Sequence, residues 1–92
     1  MRESVLWFGD KMEHKLLAND RKPGWEDLSD VYLLKRLHEE ITELEAALGD
    51  TSAEAIILEC ADVANFAMML ADKRRPGPHH RGISENSISK GV

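Results

Sequence analysis

The sequence LHEEITELEAALG at residues 37–49, followed by LECADVANFAMML at residues 58–70, decides the fold. In both segments apolar side chains recur at helical spacing. Gly49 lies between the segments, at the kind of position where helices commonly end. We therefore predict two helices that are joined by a short linker and pack as antiparallel neighbours.

Local signals define the ends of these helices. Ser29 or Asp30 can cap the second helix, which should run to about Leu48. A capping box formed by Thr51 and Glu54 should open the third helix. That helix should continue to about residue 73, before the Pro-Gly-Pro sequence at 76–78.

The N-terminal part of the chain predicts one more helix. Residues 3–18 place apolar side chains on one helical side, and residues 19–27 contain a Pro-Gly turn signal and are expected to form a loop. No strand pattern is present, so the predicted fold class is all-α. We expect short antiparallel helices that reach a four-helix-bundle-like arrangement by dimerisation.

The chain has 92 residues, which is enough for one small domain. Large apolar side chains are scarce near the C-terminus, so we predict a folded domain at residues 1–73 and a basic, mobile tail at 74–92. A core of this size is often stabilised by self-association, and we expect a homodimer or homotetramer.

Charge is distributed unevenly along the sequence. Residues 39–72 contain nine acids and no Lys or Arg, and the net charge of the chain is −5. There is one cysteine, and no apolar run approaches the length of a membrane span. We expect a cytoplasmic protein without a membrane or nucleic-acid partner.

Four of the acids have the spacing of a metal site. Glu40 and Glu43 lie three residues apart on one helix, as do Glu59 and Asp62 on the next. The segment offers them no cationic partner, and partly buried unpaired carboxylates are costly. Oxygen ligands of this kind suit Mg²⁺, with Mn²⁺ as a substitute. The alternative, a solvated helix surface, is the interpretation we keep for the other acids of these helices.

The pattern Glu39-Glu40-x-x-Glu43 followed by Glu59-x-x-Asp62 resembles the EExxE…ExxD signature of the MazG-like nucleotide pyrophosphohydrolases, in the all-α NTP pyrophosphatase superfamily. The resemblance covers about residues 5–72. It implies hydrolysis of nucleoside triphosphates to the monophosphate and pyrophosphate, in the housecleaning of non-canonical or surplus nucleotides. It also implies that Glu40, Glu43, Glu59 and Asp62 hold Mg²⁺. Glu39 matches the first glutamate of the signature but its helical position turns it more toward water, so we assign it a supporting role as an outer-shell ligand or in orienting the attacking water.

The same resemblance suggests a substrate pocket. Its candidate residues are polar or aromatic and flank the carboxylates: Lys15, Asn19, Lys22, Trp25 and Asn65. The lysines are candidates for contacts with outer phosphates, and Trp25 for stacking on the base. Each has a plainer interpretation: a solvated lysine, a surface amide at Asn65, or a cap over the core at Trp25.

Two alternatives remain at this stage. Within the same chemistry, the enzyme could be narrower and hydrolyse dUTP or dCTP. From a different class, the chain could be a non-catalytic helical oligomerisation or regulatory module that binds metal or a basic partner. MazG-like domains usually contribute a further helix after the ExxD helix, and here the Pro-Gly-Pro sequence intervenes.

Overall fold

A computed structural model describes residues 1–19, 24–50 and 52–76. Its elements are α1 (Glu3–Asn19), a 3₁₀ turn (Trp25–Asp27), α2 (Asp30–Asp50) and α3 (Ala53–Asp72). The described part of the chain contains no strand, and the predicted all-α fold class is confirmed. The predicted tail lies almost wholly outside the described residues.

Helix α3 packs against α2 in an antiparallel arrangement. Asp30, the first residue of α2, contacts Lys73, which directly follows α3, with 2.6 Å between Oδ1 and Nζ. Farther along α2, the Arg36 guanidinium lies 4.9 Å from the centroid of the Phe66 ring. Later positions on α2 thus meet earlier positions on α3, as predicted for neighbours joined by a short linker.

Helix α1 packs against another side of α3, also antiparallel. The Asn65 amide Nδ2 donates a hydrogen bond to the Met12 carbonyl at 3.0 Å. One turn along α1, Lys15 Nζ lies 3.3 Å from Asp62 Oδ2. Helix α3 is therefore the central element, and both other helices meet its middle turns.

Two predicted helix ends are wrong. Helix α2 continues through Gly49 to Asp50, because glycine also tolerates helical dihedral angles at some entropic cost. Helix α3 is capped by Ser52, whose Oγ accepts a hydrogen bond from the Ala55 amide at 3.2 Å, whereas the predicted cap, Thr51, lies outside the described residues. Serine caps a helix at least as well as threonine, and the helix begins one residue later. The predicted cap at Ser29 is confirmed by the hydrogen bond from the Tyr32 amide to its Oγ.

The core is small. Its fully packed centre consists of Leu33, Phe66 and Met69, around which partly buried side chains from α1, α2, α3 and the 3₁₀ turn are arranged. No residue of α1 is buried, and several large apolar side chains of the described chain face outward. The described helices also lack the combination of length and apolarity that a membrane span requires.

The C-terminal end of α3 is held by a group of polar contacts that we call the terminal clasp, formed by Asp30, Lys73 and Arg74. Asp30 pairs with both cations, and Lys73 also donates to the Leu28 carbonyl at 2.7 Å. Beside the clasp, the Trp25 indole N–H donates to Asp72 Oδ2 at 3.0 Å. These contacts fix the 3₁₀ turn and the start of α2 against the end of α3.

Candidate metal centre

Three carboxylates from two helices converge at the middle of the bundle. Glu59 and Asp62 project from successive turns of α3, and the antiparallel packing brings Glu40 of α2 beside them. One oxygen of each lies within 4.8 Å of the others, and all three side chains are partly buried. We call this set the carboxylate triad; its spacing and donor atoms suit a hard divalent cation.

The charged forms of two acids of the triad, Glu59 and Asp62, are disfavoured in the structure. Burial raises the pKa of Glu59, and the nearby carboxylates of Asp62, Glu40 and Glu43 raise it further. Glu59 Oε1 is buried and has no hydrogen-bond partner among the described residues. Burial also raises the pKa of Asp62, against the opposing effect of Lys15. A bound cation would remove this cost, because it favours the charged form of each acid.

The expectation that the acids lack cationic partners is wrong. Lys15 of α1 pairs with Asp62, and Arg36 pairs with Glu40 at 2.8 Å. The charge count covered residues 39–72, whereas Arg36 lies one turn before that segment and Lys15 arrives from another helix. The i, i+4 spacing of Arg36 and Glu40 is a signal that the sequence already contained.

The other two glutamates of the signature lie outside the triad. Glu43 is exposed, although it is close enough to raise the pKa of Glu59. Glu39 is also exposed, and its pKa is lowered mainly by the hydrogen bond from Arg36. Three of the four expected ligands therefore come together in the structure, and a direct role for Glu43 stays a prediction.

A pocket of about 130 Å³ opens beside the triad. Its lining includes Lys15, Asn19 and Asn65 from the predicted substrate group, together with Glu40, Asp62 and the unpredicted Arg36. Apolar side chains of Leu16, Phe66 and Met69 complete the wall. The predicted residues of α1 and α3 are thus brought together, although they are far apart in sequence.

Asn65 is the most buried polar residue of this wall. It is 4% exposed, so the alternative of a surface amide is wrong. Its Nδ2 donates to the Met12 carbonyl, which fixes the amide orientation, and its Oδ1 is buried without a partner among the described residues. A buried acceptor of this kind is costly unless a ligand or water donates to it.

Trp25 differs from the predicted substrate residues that line the pocket. Trp25 packs on the core and binds Asp72 through its indole N–H, and it is not part of the pocket lining. Asn19 donates its amide to the Lys15 carbonyl at 3.1 Å. Lys22 lies outside the described residues. Base stacking by Trp25 and phosphate contact by Lys22 stay predictions.

Comparison with known proteins finds an archaeal relative. The chain is 38% identical over 68 residues to an uncharacterized protein of Archaeoglobus fulgidus, an alignment that covers 68% of this chain and 73% of the relative. The chain belongs to the same family as that archaeal protein. No family model matches it, and no solved structure does.

Proposed function

We propose that the protein is a Mg²⁺-dependent nucleoside triphosphate pyrophosphohydrolase that releases the monophosphate and pyrophosphate. The observation that supports this most directly is the carboxylate triad, three acids with oxygens within 4.8 Å of one another beside a polar pocket. The reaction and its site of cleavage are those that the resemblance to the MazG-like pyrophosphohydrolases implies. A role in removing non-canonical or surplus nucleotides in the cytoplasm accompanies this proposal.

The donor set fits a divalent cation. Glu40, Glu59 and Asp62 offer oxygen ligands, and the partnerless Glu59 Oε1 is an available one. Glu43 is the further candidate ligand, and Mn²⁺ accepts the same oxygen donors. When bound, the ion would offset the charge of the phosphates and lower the pKa of a water for attack on phosphorus.

The remaining pocket residues have roles that follow from their chemistry. The Lys15 ammonium neutralises an outer phosphate, and the buried Asn65 Oδ1 accepts a hydrogen bond from a substrate hydroxyl or a water. Glu39, which faces solvent, orients water from outside the triad.

The size of the pocket limits which part of a nucleotide it holds. Its volume of about 130 Å³ is small beside the roughly 300–1,000 Å³ of typical ligand pockets. It therefore suits phosphates and their cations, and a base would extend beyond its described walls. Discrimination among bases, including narrower dUTP or dCTP specificity, would depend on other surfaces.

We further propose that the enzyme is a homodimer or homotetramer. Val5, Leu6 and Trp7 on α1 and Leu48 on α2 are between 44% and 62% exposed, which leaves apolar surface uncovered around a small core. Light scattering after size-exclusion chromatography gives the mass directly, and a monomer at assay concentration contradicts this part of the proposal.

The decisive experiment is a product analysis. Incubation of the protein with a panel of standard and modified nucleoside triphosphates and Mg²⁺ should yield monophosphate and pyrophosphate in equal amounts. EDTA should stop the reaction, and Mn²⁺ should restore it. Release of orthophosphate as the first product would contradict the proposed site of cleavage.

A second candidate is a non-catalytic helical module that binds metal or a basic partner. It is favoured by the pairing of Lys15 with Asp62 and of Arg36 with Glu40, which lets two acids of the triad persist without an ion. Absence of turnover across the whole panel, despite measurable metal binding, would select this candidate.

A further inference from the structure

Arg36 occupies a position at the pocket that the carboxylate signature does not explain. It extends from α2 one turn before Glu40 and is 23% exposed at the side chain. Its Nη2 donates to Glu40 at 2.8 Å, its Nη1 donates to Glu39, and it also lines the pocket. Arg36 thus contacts one acid of the triad and one acid outside it, and it also lines the pocket.

The Arg36 guanidinium is also held by a contact that does not depend on the carboxylates. It lies over the Phe66 ring at 4.9 Å from the centroid, and Phe66 is 6% exposed and part of the core. A cation–π contact of this kind attracts the guanidinium independently of its hydrogen bonds. A metal ion that takes the Glu40 carboxylate would therefore leave the guanidinium beside the pocket with its Nη2 donors free, while Nη1 keeps its hydrogen bond to Glu39.

We propose that Arg36 is a phosphate-binding residue that exchanges partners. Without metal it neutralises Glu40, and with a divalent cation at the triad its released N–H groups bind phosphoryl oxygens of the ligand. The planar fork of donors matches phosphate as well as carboxylate. The identity of the ligand as a polyphosphate rests on the proposed function, whereas the exchange rests on the contacts of Arg36.

This exchange predicts that replacing Arg36 changes the affinity for metal and the affinity for polyphosphate in opposite directions. Substitution Arg36→Gln removes a cation that competes for Glu40, so divalent metal alone should bind several-fold more tightly. The same substitution removes a charge-assisted donor pair, so polyphosphate should bind about tenfold more weakly. A residue that only supported the packing of α2 on α3 would weaken both.

Two binding measurements on the full-length protein separate these outcomes. Mn²⁺ alone is titrated and followed by electron paramagnetic resonance. Inorganic tripolyphosphate, which carries no base, is titrated by calorimetry at saturating Mg²⁺. The matched control is Lys35→Gln, which removes the same charge from the adjacent position. Lys35 is 70% exposed, contacts Glu39 at 3.6 Å and does not line the pocket.

We expect Lys35→Gln to leave both affinities within twofold of the wild type. The proposal is overturned if Arg36→Gln binds tripolyphosphate as Lys35→Gln does, or if it loses affinity for Mn²⁺. Should circular dichroism show that Arg36→Gln is unfolded, Arg36→Lys serves instead: it keeps the charge and loses the fork. Unchanged tripolyphosphate binding by that variant also overturns the proposal. Neither titration requires turnover, so the two binding measurements test the exchange at Arg36 and the product analysis separately tests the proposed enzyme activity.

Discussion

The middle and the end of α3 both bring acids and cations together, yet they differ in how well the acids are satisfied. At the terminal clasp, hydrogen bonds from Arg74 and Lys73 lower the pKa of Asp30 to about 2. At the carboxylate triad, burial raises the pKa of Glu59 and of Asp62 although Lys15 lies beside them. The clasp favours the charged form of Asp30, whereas burial at the triad disfavours the charged forms of Glu59 and Asp62.

The difference lies in the ratio of acids to cations and in the access of water. Asp30 is nearly half exposed and has two cations, whereas three partly buried acids share Lys15 and Arg36. An acid that is satisfied by its own chain contributes to stability. A buried acid without enough hydrogen-bond or cationic partners lowers the stability of the fold. Such acids are common at functional sites, where a bound ligand offsets the cost.

The largest difference between the two sites should appear when an acid of the triad is replaced by its amide. Glu59→Gln or Asp62→Asn should lower kcat/KM for the best nucleotide by at least about a hundredfold, because even outer-shell partners of a metal are worth roughly 10–100-fold. The control is Glu54→Gln in the first turn of α3, an exposed acid that should keep normal activity. Full activity in both triad variants would remove the basis of the proposed function.

Metal should stabilise proteins with an intact carboxylate triad, and not variants that lack one of its acids. Mg²⁺ at a hundred times its dissociation constant should raise the free energy of unfolding by about 2.7 kcal/mol, because only the folded chain assembles the triad. Thermal denaturation with and without Mg²⁺ measures the gain. Glu59→Gln should show little shift, while Asp30→Asn should keep it.

In EDTA, the same change of one acid to its amide should have opposite effects at the two sites. Glu59→Gln should raise the free energy of unfolding by about 1 kcal/mol, because it removes a poorly satisfied charge. Asp30→Asn should lower stability, because it leaves Lys73 and Arg74 without their carboxylate. Urea denaturation at neutral pH measures the free energy of unfolding of both variants. A change of the same sign in both would contradict the proposed difference between the triad and the clasp.

The smallest expected effect is the pH dependence of the clasp. The pKa of Asp30 falls from 3.8 to about 2 on folding, so its contribution is present above about pH 4. Protonation at lower pH removes it, and the stability difference between wild type and Asp30→Asn should close as the pH falls toward 2. The difference at neutral pH should also shrink in high salt, because the pair is exposed.

Periodicity was sufficient to predict the helices and their antiparallel packing. The apolar spacing in residues 37–49 and 58–70 led to the right elements because burial of one helical face dominates local preferences. Helix ends were less predictable, because Ser and Thr are both good N-cap residues and the sequence places them side by side at positions 52 and 51. The ion pair between Lys15 and Asp62 was missed because a contact between two separate helices leaves no trace in local spacing.

Helix α1 has no buried residue, and its closest described contacts are with α3, the last helix in the chain. During synthesis α1 emerges before α2 and α3, and it meets its partner only after some 40 further residues have been added. We therefore expect α2 and α3 to pair early and α1 to dock late. The amide hydrogens of α1 should exchange with solvent faster than those of α3, through openings that separate Lys15 and Met12 from the pocket wall.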